Sequence, residues 1–230
     1  MAERRAPGPG RAALAQACAA LKVFPLSGVT VFPGTPTPLH VFEPRYRSLV
    51  ADALRGDRIL AVPALVSAEE AMQARPPLLP LAGAGVIEQE ERLPGGRYNV
   101  LVRGLGRVRL GEELPGARGY REFRAELLED VYPQGGAAAL ASEMEAVGQL
   151  VLELAEVLPA ESGAPRLAQA VAHQRDPAAL ADLVAAAAIS EPGPRQRVLE
   201  ELDVGRRLRI VEEEVAAVLL MLSRGRTPSA

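Results

Sequence analysis

Tryptophan is absent from the 230 residues, cysteine and lysine each occur once, and aromatic residues make up only 3% of the chain. With Cys18 alone, neither an intramolecular disulfide nor a cysteine-based metal cluster can form, which fits a reducing compartment. The two histidines, His40 and His173, lie in different halves without His-Glu-x-x-His or comparable spacing, so no metal site is expected. Lys22 is the only lysine and stands beside no candidate nucleophile, which removes the base of a Ser-Lys dyad. No G-x-x-x-x-G-K-[ST] string exists to cradle a nucleotide phosphate. No apolar run approaches the ~20 residues that span a bilayer. The expectation is a protein without catalytic, metal-binding or cofactor-binding residues and with no place in a membrane.

What is present is ordinary for a globular protein: 48% hydrophobic and 24% charged residues, with a net charge of −3. Residues 1–20 read as a flexible, cytoplasmic tail. Arg4 and Arg5 resemble the charged start of a signal peptide, but a Pro/Gly-rich stretch follows and the apolar h-region is missing. Residues 21–134 are rich in β-branched residues, prolines and turn dipeptides, and residues 137–224 carry alanine and leucine at helical spacing. In the first half, strands are expected at 21–26, 37–42, 58–66, 85–91, 97–103, 107–110 and 121–131, with tight turns at Pro94-Gly95-Gly96 and Gly104-Leu105-Gly106. One helix intrudes: Pro44 suits its first position, Tyr46, Leu49, Val50, Ala53 and Leu54 form its apolar stripe, and Gly56 closes it. The second half predicts four helices. One carries Met144, Val147, Val151, Leu154 and Leu158; one opens at Asp176-Pro177; one spans 195–202 after a break at Pro192 and Pro194; and one carries Leu208, Val211, Val215, Val218 and Leu222. Short strands with an inserted helix, followed by a helical bundle, make an α+β protein whose sheet is a small barrel or strongly curved.

Several strings stand in an unusual order. Val23-Phe24-Pro25-Leu26 precedes Val31-Phe32-Pro33-Gly34, then Pro38-Leu39-His40-Val41-Phe42-Glu43-Pro44-Arg45-Tyr46-Arg47. Gly96-Arg97-Tyr98-Asn99-Val100-Leu101-Val102-Arg103-Gly104 follows, then Leu180-Ala181-Asp182-Leu183-Val184-Ala185 and Arg197-Val198-Leu199-Glu200-Glu201-Leu202-Asp203-Val204. This series, over about residues 21–222, resembles the N-terminal substrate-recognition domain family of Lon-type proteases. The resemblance implies a PUA-like β pseudobarrel followed by a helical bundle, in a stand-alone form without ATPase and peptidase domains. It implies a non-catalytic module that binds unfolded or tagged polypeptides, with a protease or chaperone as an expected partner; the location is expected to be cytoplasmic, and the apolar C-terminal helix leaves a monomer or a weak homodimer open.

Within the family motif, Phe32, Pro33, Gly34, His40, Phe42, Glu43, Pro44, Arg45 and Tyr46 read mainly as structural. Glu43 and Arg45 flank Pro44, where they can cap the helix start and brace it, with the acid favoured by the helix dipole. A polypeptide-binding surface needs an exposed apolar patch, and Val31 and Phe32 are candidates for it. Between Arg97 and Arg124 seven arginines face three glutamates. Arg103, Arg107 and Arg109 are expected to share one sheet face, which makes them candidate partner contacts and opens the alternative of an RNA-binding PUA-like adaptor. Nucleic-acid surfaces usually pair such charge with exposed aromatics, and the scarcity of these favours a solvated hairpin face. Acidic runs such as Glu212-Glu213-Glu214 read as solvated faces.

Overall fold

A computed structural model describes residues 10–67, 73, 75–116 and 118–225. The chain folds as two compact units, Met1–Leu128 and Glu129–Ala230.

The longest element of the first unit is β5 (Arg97–Glu113), where two strands and a turn were expected. Its neighbour β4 (Leu81–Leu93) pairs Gly85 with Gly104 and then Ala84 with Gly106, so Leu105 is an extra residue that bulges from the ladder. The remaining strands are β1 (Leu21–Val23), β2 (Pro36–Val41), β3 (Ile59–Val62) and β6 (Arg121–Leu127). β1, β3, β4, β5 and β6 close a ring, because β6 bonds both β1 and the far end of β5. β2 adds to the first half of β5 outside that ring, as an edge strand whose Pro36 and Pro38 cannot donate to a further neighbour. This is the PUA-like pseudobarrel.

Every strand of the ring contributes to one apolar cluster, through Leu21, Val23, Ile59, Ala61, Ala82, Ala84, Val86, Val108, Leu110 and Phe123. A second cluster takes the opposite face: Leu60, Val62, Ile87, Val100 and Val102 pack there against Leu39, Val41 and the helix α2 (Pro44–Arg55). β3 is therefore buried on both sides, which explains its unbroken Ile59-Leu60-Ala61-Val62 run.

The Val31-Phe32-Pro33-Gly34 segment lies across this sheet. A Cβ on Gly83 would collide with the Val31 carbonyl oxygen, and one on Gly104 with the Phe32 carbonyl oxygen. Gly34 N–H donates to the Gly104 carbonyl at 2.9 Å and Gly104 N–H donates to the Thr35 carbonyl at 3.0 Å. The glycines of β4 and β5 are thus sites of close backbone approach, and Gly104-Leu105-Gly106 is no turn.

Two expectations for this unit need correction. Within the stretch read as a flexible tail, residues 11–17 form a helix, α1 (Arg11–Ala17), with Leu14 and Cys18 buried in the ring cluster. Arg11 donates to the Leu128 carbonyl at 2.6 Å, and Gly106 leaves room for Leu14. Two apolar residues in an alanine-rich stretch gave little periodicity, yet both found a core to fill. Residues 1–9 lie outside the described residues. At the end of α2, Gly56 (φ −115°) is not left-handed; Arg58 carries the positive φ of 63°. Its N–H donates to the Ala53 carbonyl at 2.8 Å, its Nε to the Ile87 carbonyl at 2.8 Å, and its guanidinium pairs with Glu90.

The second unit contains α3 (Ala141–Val157), α4 (Ala164–His173), α5 (Pro177–Ala188), α6 (Pro192–Glu200) and α7 (Val204–Gly225). Of these, α4 was not expected, because its ten residues carry only Leu167 and Val171 as large apolar anchors. Pro192 opens α6 at its first turn and does not break it. Asp176 caps α5, accepting from Ala178 N–H at 3.1 Å. The segment after Leu128 belongs to this unit and not to the sheet. Val131 N–H donates to the Leu202 carbonyl at 2.8 Å, and Val204 N–H to the Val131 carbonyl at 2.9 Å. Arg207 is fully buried, pairing with Asp130 and, at 3.8 Å, with the buried Asp182, while its Nε donates to the Glu201 carbonyl at 2.8 Å.

Two stability outcomes follow from these contacts. Gly104→Ala is expected to lower unfolding free energy by about 2–4 kcal/mol, as a side chain forced against backbone does, whereas Gly10→Ala, which meets open space, changes little. Arg207→Met, which removes the buried cation paired with both Asp130 and Asp182, is expected to lower it by about 3–5 kcal/mol. Urea denaturation followed by circular dichroism measures both.

Candidate functional site

The family motif builds the junction of β2 and α2. Pro44 occupies the first helical position, and Glu43, the N-cap, makes no side-chain cap bond. Its carboxylate instead accepts from Arg45 Nε at 3.0 Å, and the Arg45 guanidinium sits 4.5 Å from the centre of the Tyr46 ring. Glu43 and Arg45 thus brace each other beside the helix start. His40 and Phe42 lie on the solvent face of β2, with ring centres 6.0 Å apart. Phe42 is 60% exposed, which removes it from the structural residues of the motif. His40 Nδ1 hydrogen-bonds Asn99 Oδ1 at 2.8 Å, and Asn99 Nδ2 donates to Glu91 at 2.8 Å, a polar chain across three strands.

The residues expected to contact partners do not come together. Val31 and Phe32 are both fully buried, because their segment packs its side chains into the sheet it crosses. The three arginines are separated by the bulge at Leu105. Val102 packs into the α2-side cluster and Val108 into the ring cluster, so Arg103 and Arg107 point to opposite faces. Arg107 is buried, Arg103 pairs with Glu88 at 2.5 Å, and Arg109 pairs with Glu126 at 2.8 Å. Arg118, Arg121 and Arg124 likewise pair with Glu122, Glu113 and Glu112. Carboxylates from β4, β5 and β6, most of them across the ladder, pair with what read as a positive patch. The field that would attract a nucleic-acid backbone is therefore weak.

An apolar groove opens in the helical unit. It holds about 470 Å³. Met144, Gly148 and Leu152, four residues apart on α3, form one wall; Ala168, Val171 and Ala172 of α4 face them, and Leu180 of α5 closes the floor. Gly148 widens the groove, since a Cβ there would come no closer than 3.9 Å to Val171. Leu152 is 48% exposed, and Glu145, Gln149, Gln174 and Arg175 give a polar rim. Sequence reasoning missed this site because α4 was not seen. The only signal was Leu152, an apolar residue off the buried stripe of Val147, Val151 and Leu154.

Comparison with known proteins agrees with this architecture. The model of the ATP-dependent protease La (LON) substrate-binding domain matches residues 20–217. The chain belongs to that family. It is 30% identical over 195 residues to Lon protease 2 of Myxococcus xanthus, covering 84% of this chain and 23% of that protein. It is 32% identical over 193 residues to Lon protease of Roseiflexus castenholzii, covering 83% and 23%. The chain thus spans about a quarter of the length of these curated relatives. The N-terminal domain of Mycobacterium avium complex Lon protease superposes with a TM-score of 0.69 at 20% identity, covering 86% of this chain and 98% of that one. A Lon N-terminal domain protein from Xanthomonas campestris gives 0.56 at 20% identity, over 83% and 95%. Both show the Lon N-terminal fold.

Among the described residues, no group of His, Cys, Asp and Glu is arranged to hold a metal, and no helix is long and apolar enough to cross a membrane. Two carboxylates are shifted instead by local partners. Tyr120 donates to Asp52 at 2.7 Å and, with Arg55, holds its carboxyl below the usual range. Arg121 does the same to Glu113 through bonds of 3.0 and 2.8 Å. Burial and the Asp52 carboxylate push Tyr120 up to about 12. Because Asp52 and Glu113 hold protons more weakly folded than unfolded, their stabilisation is complete above about pH 5 and is lost as pH falls through the range below 4. Denaturation midpoints between pH 7 and pH 3 should therefore fall less steeply for Asp52→Asn with Glu113→Gln than for the native chain.

Proposed function

We propose that this chain is a non-catalytic polypeptide-binding module that recognises unfolded or tagged clients and serves protein quality control beside a protease. The observation that carries this reading is the groove between α3, α4 and α5. Unfolded chains offer apolar segments that folded proteins hide, and a groove with small residues in its walls, one exposed leucine and a polar rim suits such a segment. Its volume admits a few side chains of a client, which supports broad selection of apolar segments over recognition of one folded surface. Membership of the Lon substrate-binding domain family supports the same role, and the relatives' being Lon proteases supports a protease as partner. The pairing of the β5 and β6 arginines with carboxylates counts against the RNA-binding alternative.

Fluorescence anisotropy of a labelled, permanently unfolded client tests the proposal. Micromolar affinity independent of ATP is expected. Leu152→Asp, which puts a charge on the groove wall at a half-exposed site, should weaken binding at least tenfold, about 1.4 kcal/mol, without loss of helicity. Native-like affinity in that variant, or no binding to any unfolded client, would reject the groove or the role respectively.

A further inference from the structure

A second cavity, in the first unit and remote in character from the apolar groove, is walled by guanidinium groups. It holds about 60 Å³ and is lined by Arg45, Arg75, Arg118 and Arg121 together with Tyr46 and Tyr120. Among the described residues, no aspartate or glutamate lines it. The acids that pair with these arginines, Glu43, Glu113 and Glu122, lie outside the lining, where they offset the guanidinium charge and hold the groups in place, so that the described lining offers N–H donors. Arg121 is held most firmly: Nε and Nη2 donate to Glu113, Nη1 donates to the Pro76 carbonyl at 2.7 Å, and its side chain is 19% exposed. Arg118 is placed by the Tyr120 hydroxyl at 3.0 Å, which is itself anchored on Asp52.

Tyr46 supplies the second observation. It is 6% exposed and lines the cavity. Burial pushes the Tyr46 hydroxyl up, while the Arg45 and Arg121 charges lower it and the Glu43 carboxylate raises it. A tyrosine on a cavity lined by guanidinium groups adds an O–H donor to theirs, a set that suits an acceptor from outside. At a share of ~30 Å³ per water, the cavity has room for about two waters, hence for one compact group and not for a side-chain cluster. Planar guanidinium forks match the oxygens of carboxylate and phosphate, which gives the ligand its class.

We propose that this cavity is a binding site for a single oxyanion group, carboxylate or phosphate, contacted by Arg45, Arg118, Arg121 and the Tyr46 hydroxyl. It does not depend on the client groove. The test is a titration of the isotope-labelled full chain with inorganic phosphate and with acetate, followed by NMR of backbone amides and arginine Nε–H groups at constant ionic strength. Saturable shifts confined to residues 45–46 and 118–121 are expected, at least fivefold weaker in Tyr46→Phe, which keeps the ring, and in Arg118→Gln, whose side chain is largely exposed. A short peptide with a free C-terminus, set against its amidated form and an amidated phosphoserine form, separates the sources. Competition with phosphate by the free-carboxylate peptide assigns the site to chain termini, competition by the phosphoserine peptide to phosphorylated chains, and competition by none of them to free anions. Shifts that are unsaturable, scattered over the surface, or unchanged in both variants would overturn the proposal.

Discussion

The crossing of residues 31–35 over Gly83 and Gly104 constrains most of the first unit. Two carbonyl oxygens occupy the space where those residues would carry side chains, and paired N–H to carbonyl bonds with Gly104 hold the crossing in register. From that contact the rest follows. Val31 enters the core shared with α2, and β2 starts directly afterwards at Pro36, bonded along the first half of β5. The bulge at Leu105 comes one residue past the contact. It turns the pleat over, so that the same strand serves the α2-side cluster before it and the ring cluster after it. One strand can thus line two cores only because its ladder is interrupted where the crossing segment presses on it.

Charge in this protein is organised by pairing and not by patches. The basic run of β5 and β6 is cancelled across the ladder, while Arg207 is drawn inside the helical unit to join Asp130 and Asp182. Burying that trio is costly in itself, and its value is in specifying one arrangement: the segment at Asp130, the end of α6 and the start of α7 must meet for the arginine to be satisfied. The arginines of the cavity around Tyr46 are paired in the same way, with acids that stand behind them and not among the described lining residues. Apolar and anionic ligands would therefore meet separate surfaces built on different physics, one by area removed from water and one by oriented donors.

Much of the fold was legible. Pro44 with the stripe Tyr46, Leu49, Val50 and Ala53 specified α2, since helix-start geometry and the 3.6-residue period are local properties. Asp176-Pro177 marked α5 for the same reason. The long-range partners were not legible. Nothing near Arg103 in sequence announces Glu88, and nothing near Gly104 announces the Phe32 carbonyl that requires it to lack a side chain. Glycine between strands reads as a turn when it is in fact a crossing point, because both demand the absence of Cβ. The client groove was hidden because α4 has few apolar residues, and a groove is defined by the space between helices that a linear pattern does not contain.

By itself the sequence determined the class, the family and the chemistry that has no residues to support it: one cysteine, one lysine and two distant histidines are facts of composition that no folding can change. Order and spacing of the Phe-Pro-Gly and Phe-Glu-Pro-Arg-Tyr strings were enough for kinship, because relatives preserve local segments. Only the tertiary structure decided which of those residues are reachable. It buried Val31 and Phe32, exposed Phe42, split three arginines between two faces and set Tyr46 on an arginine-lined cavity. Accessibility depends on what packs against a residue from elsewhere in the chain, and that is set by the closing of the sheet and not by neighbours in sequence.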